Sequence, residues 1–231
     1  MEDRFTMYDL VIETTRRCNA YCPHCLRGEP MDMDLNLEYV RKLFSQVGYI
    51  SSLTLSGGEP SLVVPILNGI RELAEEMDVG VGSFCVVTNG VLNDIQFVES
   101  MLRWWHYSDE KEYTSVLLST DEYHPGVDPS ELLLSGLSFF REKGDIPEDS
   151  VLSEGRGVDL CLSEKQYHNI VTEESFSVDV AYKTVDGVLY LNCLGNLIAG
   201  CDWSYESQEE HIICTVDDDV FSAVQKISRQ G

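Results

Sequence analysis

Positive charge is scarce in this sequence: 16 lysines and arginines stand against 40 aspartates and glutamates, giving a formal charge of −24 over 231 residues. Binding along a phosphate backbone needs a basic patch, so nucleic acid is not expected as the main partner. Long apolar runs are also missing. None approaches the roughly 18 residues of a membrane-spanning helix, and no membrane association is expected. The acidic start, Met1-Glu2-Asp3-Arg4, is followed by no apolar stretch of the secretory kind. The expectation is therefore a cytoplasmic protein in a reducing compartment. Repeats, low-complexity tracts and a clear interdomain linker are absent as well.

What is present is ordinary globular composition, 43% hydrophobic and 24% charged. A chain of this length buries roughly 70% of its unfolded surface and needs no disulfide staples. Eight cysteines in a reducing compartment must then be free thiols or metal ligands.

Strand and helix patterns alternate through the first three-fifths. Tyr8 to Thr14 reads as a strand, and Leu37 to Val47 carries helical spacing behind an Asn36 cap. Leu53 to Leu55 is a brief strand, Val63 to Met77 an amphipathic helix, Phe84 to Val87 a strand and Ile95 to Trp105 a helix. Val116 to Leu118 reads as a fourth strand, Leu132 to Phe140 as a fourth helix and Val151 to Ser153 as a fifth strand. Such alternation implies parallel strands with right-handed crossovers, and chemistry at the strands' carboxyl ends. The last third is β-rich, with a hairpin expected at Asp186-Gly187, a turn at Leu194-Gly195-Asn196, and a short helix after Asp217-Asp218-Asp219. The fold class expected is α/β, with residues 1–157 as a βα core and 158–231 as a β-hairpin and helix segment completing it and shaping a substrate pocket.

The strongest local signal is Cys18-Asn-Ala-Tyr-Cys22-Pro-His-Cys25, directly after the first strand. Three thiols within eight residues can converge on one centre, and thiolates select iron–sulfur clusters or zinc. Three cysteines on a four-iron cubane leave one iron open to an exogenous chelator. Zinc normally takes four ligands, and His24 sits poorly for the fourth. A Cys22–Cys25 redox pair and three unrelated buried thiols are the other readings.

The CxxxCxxC run, Gly57-Gly58-Glu59-Pro60 after the second strand and Thr88-Asn89-Gly90 after the third together resemble the radical S-adenosylmethionine (radical SAM) enzymes. The resemblance implies a partial (β/α) barrel, with Cys18, Cys22 and Cys25 holding an oxygen-sensitive [4Fe-4S] cluster. It implies S-adenosylmethionine chelated to the fourth iron and cleaved to a 5′-deoxyadenosyl radical that takes hydrogen from a substrate. In the same terms His24 would lie against the adenine, Gly57 and Gly58 would let the backbone approach the cofactor, and Glu59 would accept from its ammonium. Pro60 completes the motif. An external electron donor such as flavodoxin or ferredoxin is implied too.

Weaker candidates lie nearby. Asn89, Ser119 and Asp121 end predicted strands and are candidate cofactor contacts, with Glu122 beside them; His124 reads more simply as a loop residue. Arg156, in a Gly-rich loop, is a candidate partner for the cofactor carboxylate or else a solvated side chain. Arg16, Arg17 and Arg27 make the cysteine loop locally basic, which suits an anionic cluster. Cys193, Cys201 and Cys214, with Cys161, are candidate auxiliary-cluster ligands, although separate buried thiols fit their wide spacing better. For the substrate, a peptide or protein is favoured, a basic peptide suiting the acidic surface; a glycyl-radical enzyme and a small molecule or nucleotide are the alternatives. A structural zinc module is the non-enzymatic reading.

Overall fold

The computed structural model describes residues 4–144, 151–160 and 176–228. Its frame is a strand–helix alternation: β1 (Phe5–Glu13), α1 (Leu37–Phe44), β2 (Val47–Ser56), α2 (Val64–Glu76), β3 (Gly80–Thr88), α3 (Ile95–Tyr107) and β4 (Ser115–Leu118). Each helix starts and buries as its sequence dictates. Asn36 accepts the Glu38 N–H at 3.0 Å and Asp94 accepts the Gln96 N–H at 2.9 Å, capping α1 and α3. On α2, Leu67, Ile70, Leu73 and Ala74 recur at helical spacing and are buried against the sheet.

Two expectations fail after β4. The stretch 132–140 forms no α-helix; it makes a short 3₁₀ turn, Leu133–Gly136, and then a fifth strand, β5 (Phe140–Glu142), parallel to β4. Gly136 falls in the middle of the stretch, where glycine disfavours helix, and it ends the turn. Val151 to Ser153 is consequently no strand but an irregular segment. Its role passes to the side of the cysteine loop.

The carboxyl third contributes β6 (Ser177–Asp179), β7 (Thr184–Leu191), β8 (Asn196–Ala199), β9 (Ile212–Thr215) and α4 (Val220–Ser228). The hairpin turn falls at residues 180–183, not at Asp186-Gly187. Those two lie inside β7, where the pairing with β1 shifts register between Met7 and Asp9 and Gly187 takes φ +121°. A bulge and a tight turn ask for the same residue types, so the sequence signal was genuine but its geometry was different.

The sheet order is β5-β4-β3-β2-β1-β7-β8-β9, with β6 paired to β7. Strands β1 to β5 and β7 run parallel; β8 is antiparallel to both of its neighbours, β7 and β9, and β6 is antiparallel to β7. The sheet is open, a partial barrel. Successive strands step away from β1 on one side and the chain then returns to its other side through β7, so the order reverses at β1. The carboxyl end of β1 is that switch point, where open α/β sheets bind ligands.

Candidate functional site

Past β1 the backbone enters an irregular loop that Pro23, Gly28 and Pro30 keep out of helix; Gly28 takes φ +87°. The loop carries the three cysteines in successive turns. The Cys25 N–H donates to Cys22 O at 3.1 Å and the Gly28 N–H to Cys25 O at 3.2 Å. Cys18 Sγ accepts the Ala20 N–H at 3.5 Å and stands 3.9 Å from Asn89 Nδ2. Arg156 braces this loop from outside. Its Nε donates to Cys22 O at 3.0 Å, its Nη1 to Gly28 O at 2.8 Å and its backbone N–H to Cys25 O at 2.9 Å, while its guanidinium lies 4.1 Å over the Tyr21 ring. These donors hold the loop's carbonyls.

The Gly57-Gly58-Glu59-Pro60 stretch ends β2 and locks onto the start of the same loop. The Gly58 N–H donates to Thr15 O and the Glu59 N–H to Arg17 O, both at 2.8 Å. A Cβ on Gly57 would meet Thr15 O at 2.4 Å and one on Gly58 would meet Arg17 O at 2.2 Å. The glycines are therefore required by loop-to-loop packing, in addition to any ligand approach. Glu59 is buried at 1% exposure. Its Oε1 accepts from the Ser61 N–H at 3.0 Å and the Thr88 hydroxyl at 2.7 Å, and its Oε2 from the Asn89 N–H at 2.8 Å. Pro60 opens the 3₁₀ turn Pro60–Val63 that leads into α2.

Asn89 joins this assembly from the end of β3, donating to Asn19 Oδ1 at 2.9 Å. Ser119, buried after β4, donates its N–H to Thr88 O at 3.0 Å. Asp121 is buried with both carboxylate oxygens 2.8 Å from His124 Nδ1, and His24 Nε2 lies 4.0 Å from Asp121 Oδ1. Burial, reinforced by His124, pushes His24 down to about 4, so its ring is neutral at physiological pH. Burial alone would raise Asp121, but the hydrogen bond and charge of His124 outweigh it and hold the carboxyl low. His24 Nδ1 is buried without a hydrogen-bond partner among the described residues. His124 is thus part of the cluster that loop reasoning set aside.

Cys18, Cys22, Cys25, His24, Gly57, Gly58, Glu59, Asn89, Ser119 and Arg156 all border one cavity of about 660 Å³. Among the described residues, the set of three metal-ligating side chains whose donor atoms fall within 4.8 Å of one another is His24, Asp121 and His124. Burial pushes the Cys18 thiol up and the Cys22 thiol up to about 11, so metal uptake must displace protons. An all-thiol donor set, an orphaned buried ring nitrogen and glycine-lined backbone beside the cysteines fit an iron–sulfur cluster with an organic ligand next to it.

The other cysteines divide by environment. Cys193 and Cys214 are core residues; Cys201 packs beside Trp203 and borders the cavity. Cys161 lies outside the described residues. Sequence reading missed Glu13 and Gln208, which meet Tyr190 in a buried network behind the cysteine loop. The available signal was a glutamate directly after the apolar run Leu10-Val11-Ile12; its partner Gln208 is 195 residues away.

An open, mostly parallel sheet with three thiols at its switch point defines an α/β protein with a cysteine-bearing loop beside one cavity. Residues 12–125 match the family model of the radical SAM superfamily, whose enzymes use a [4Fe-4S] cluster and S-adenosylmethionine. A curated relative, a probable GTP 3′,8-cyclase of Sulfurisphaera tokodaii, is 39% identical over 98 residues, which is 40% of this chain and 30% of that protein. The chain thus spans under a third of that relative's length. Among solved structures, Streptococcus suis SuiB bound to the precursor peptide SuiA gives a TM-score of 0.54 at 13% identity, covering 97% of this chain and 65% of that one. That likeness is one of fold. Native anSMEcpe with bound AdoMet and a peptide gives a TM-score of 0.48 at 10% identity, covering 97% of this chain and 82% of that one. No helix among the described residues is long and apolar enough to cross a membrane.

Proposed function

We propose that the chain is a radical SAM enzyme acting on a peptide or protein. The observation that carries the chemistry is the single cavity bordered by Cys18, Cys22, Cys25 and the Gly57–Glu59 backbone at the sheet's switch point. When bound, the cluster supplies the electron that cleaves S-adenosylmethionine to methionine and a 5′-deoxyadenosyl radical, the hydrogen-abstracting species.

The chain's own part is positional. Cys18, Cys22 and Cys25 would hold the cluster. Asn89 and Ser119 face the cavity next to the thiols and are the candidate polar contacts to the cofactor; His24, neutral and with Nδ1 free, is the candidate partner for an adenine edge. Glu59 has most of its acceptor capacity committed to Ser61, Thr88 and Asn89, so any ammonium contact would add to a structural role. Asp121 orients His124 through contacts of 2.8 Å and lies 4.0 Å from His24.

The peptide reading is supported by the acidic surface, which favours a basic chain, and by a fold shared with a peptide-binding relative. The partial match to a GTP cyclase favours a nucleotide as the second reading. Anaerobic reconstitution followed by dithionite and S-adenosylmethionine tests the chemistry: 5′-deoxyadenosine should form, and should be lost in Cys18→Ala, Cys22→Ala and Cys25→Ala. Iron-loaded protein that yields none would sink the proposal. Chemical-shift or mass readouts with GTP against basic peptides would separate the two substrate classes.

A further inference from the structure

Both ends of the cysteine loop carry a buried arginine, Arg16 at 4% exposure and Arg27 at 9%, and both are held by the carboxyl third of the chain. Arg16 Nε donates to Glu13 Oε1 at 2.6 Å and its Nη2 to Gln208 Oε1 at 2.7 Å, with its guanidinium 4.5 Å over the Tyr205 ring. Arg27 Nη1 donates to Trp203 O at 2.7 Å and its guanidinium lies 4.6 Å over the Tyr190 ring. The Tyr205 N–H closes the arrangement by donating to Arg27 O at 3.1 Å.

Glu13 is the common node. It is fully buried at the end of β1, and its Oε1 also accepts from the Cys193 N–H at 3.1 Å. Its Oε2 accepts from the Tyr190 hydroxyl at 2.7 Å and from Gln208 Nε2 at 3.0 Å. A buried carboxylate is tolerated only when its lone pairs are answered, and here four donors answer them. One of the four comes from the loop and three from the carboxyl third.

We propose that Glu13 is a positioning residue for the cysteine loop, and that residues 190–208 are the latch through which it fixes both ends of that loop and sets the charge behind it. This rests on the cluster-binding role assigned above. One buried carboxylate between two buried guanidiniums leaves the loop locally cationic, in a protein whose total charge is −24. Cations behind an anionic thiolate cluster stabilise it and shift its potential. The carboxyl third is then part of the metal site as well as a wall of the pocket.

The test uses the anaerobically reconstituted 231-residue chain and reads iron per chain, iron release to a chelator, cluster midpoint potential and thermal midpoint. Gln208→Leu cuts the bridge between Arg16 and Glu13; Glu13→Gln keeps the shape but removes the charge; Tyr190→Phe removes one hydrogen bond. Iron release should accelerate roughly 10–100-fold in the first two, the usual consequence of losing groups that orient metal ligands. Glu13→Gln should also move the midpoint potential positive, a change that loosened packing alone does not produce, and Tyr190→Phe should do less of both. Wild-type release rates together with an unshifted potential in Glu13→Gln would overturn the proposal. If Gln208→Leu does not fold, Glu13→Gln and Tyr190→Phe decide the same question. A wild-type protein that takes up no iron would refute the cluster reading itself, whereas normal wild-type loading with indifferent variants refutes the positioning role alone.

Discussion

Gly58 illustrates how little room the site leaves at the level of single atoms. Replacing it with alanine would drive a methyl to 2.2 Å from Arg17 O and 2.7 Å from Arg17 C, both backbone atoms that cannot swing aside. Gly58→Ala should lower stability by about 1–3 kcal/mol and, because the displaced backbone is one residue before Cys18, reduce iron uptake as well. Denaturant melts of the metal-free chain and iron counts after reconstitution measure the two effects separately. Glu13 makes a pH prediction. Burial alone would raise its pKa, but the charge and hydrogen bond of Arg16, with the Tyr190 hydroxyl, outweigh burial and hold it below the usual value of 4.5. A carboxyl depressed on folding stabilises fully above its unfolded pKa and loses that contribution as pH falls through the folded value. The stability gap between wild type and Glu13→Gln should therefore be constant near neutrality and close on acidification below about 4.3. A gap that widens with acid would contradict the assignment.

Elements meet at this site through side chains that reach across strand ends. Glu59, after β2, ties down Thr88 and Asn89 at the end of β3, and Ser119 after β4 donates back to Thr88 O. Glu59→Ala would leave the buried Asn89 N–H and Thr88 hydroxyl without that acceptor, at about 1–3 kcal/mol for each unsatisfied group. Thermal unfolding of the metal-free protein should show the loss, and it should exceed that of Glu59→Gln, which keeps one acceptor. The helices and strands that carry these residues were readable because their apolar spacing is regular and long: β1, α1, α2, β3 and α3 all appear where periodicity places them. The segment after β4 has apolar residues at helical spacing, but Gly136 in its middle breaks the helix and the chain continues as a strand. The Asp186-Gly187 signal was misread because backbone that needs glycine for a bulge looks, in sequence, like backbone that needs it for a turn.

The whole molecule depends on a partnership between distant parts of the chain. β1 lies between β2 and β7 and presents Met7, Leu10 and Ile12 as core residues. A chain ending after residue 160 would expose the long edge of β1 and strand Glu13, Arg16 and Arg27 without their partners. It should aggregate or lack a cooperative unfolding transition, as size-exclusion chromatography and circular dichroism would show. A soluble, cooperatively folding fragment would mean that the carboxyl third is an appendage. The surface charge acts at the same scale: association of a basic peptide should weaken as salt screens it, with a Debye length of roughly 10 Å at 0.1 M.

Local chemistry was written in the sequence. Three thiols at short spacing, glycines after a strand and alternating strands and helices are short-range patterns, and short-range patterns survive in one dimension. They determined the fold class and the end of the sheet at which the three cysteines lie. Only the tertiary structure decided that the glycines pack against the cysteine loop, that Arg156 braces that loop, and that His24, Asp121 and His124 form one group. It also decided that Glu13 gathers donors from Arg16 and from the far end of the chain. Each of these is a contact between residues far apart in sequence, settled by which strand lies beside β1, and no local spacing encodes that choice.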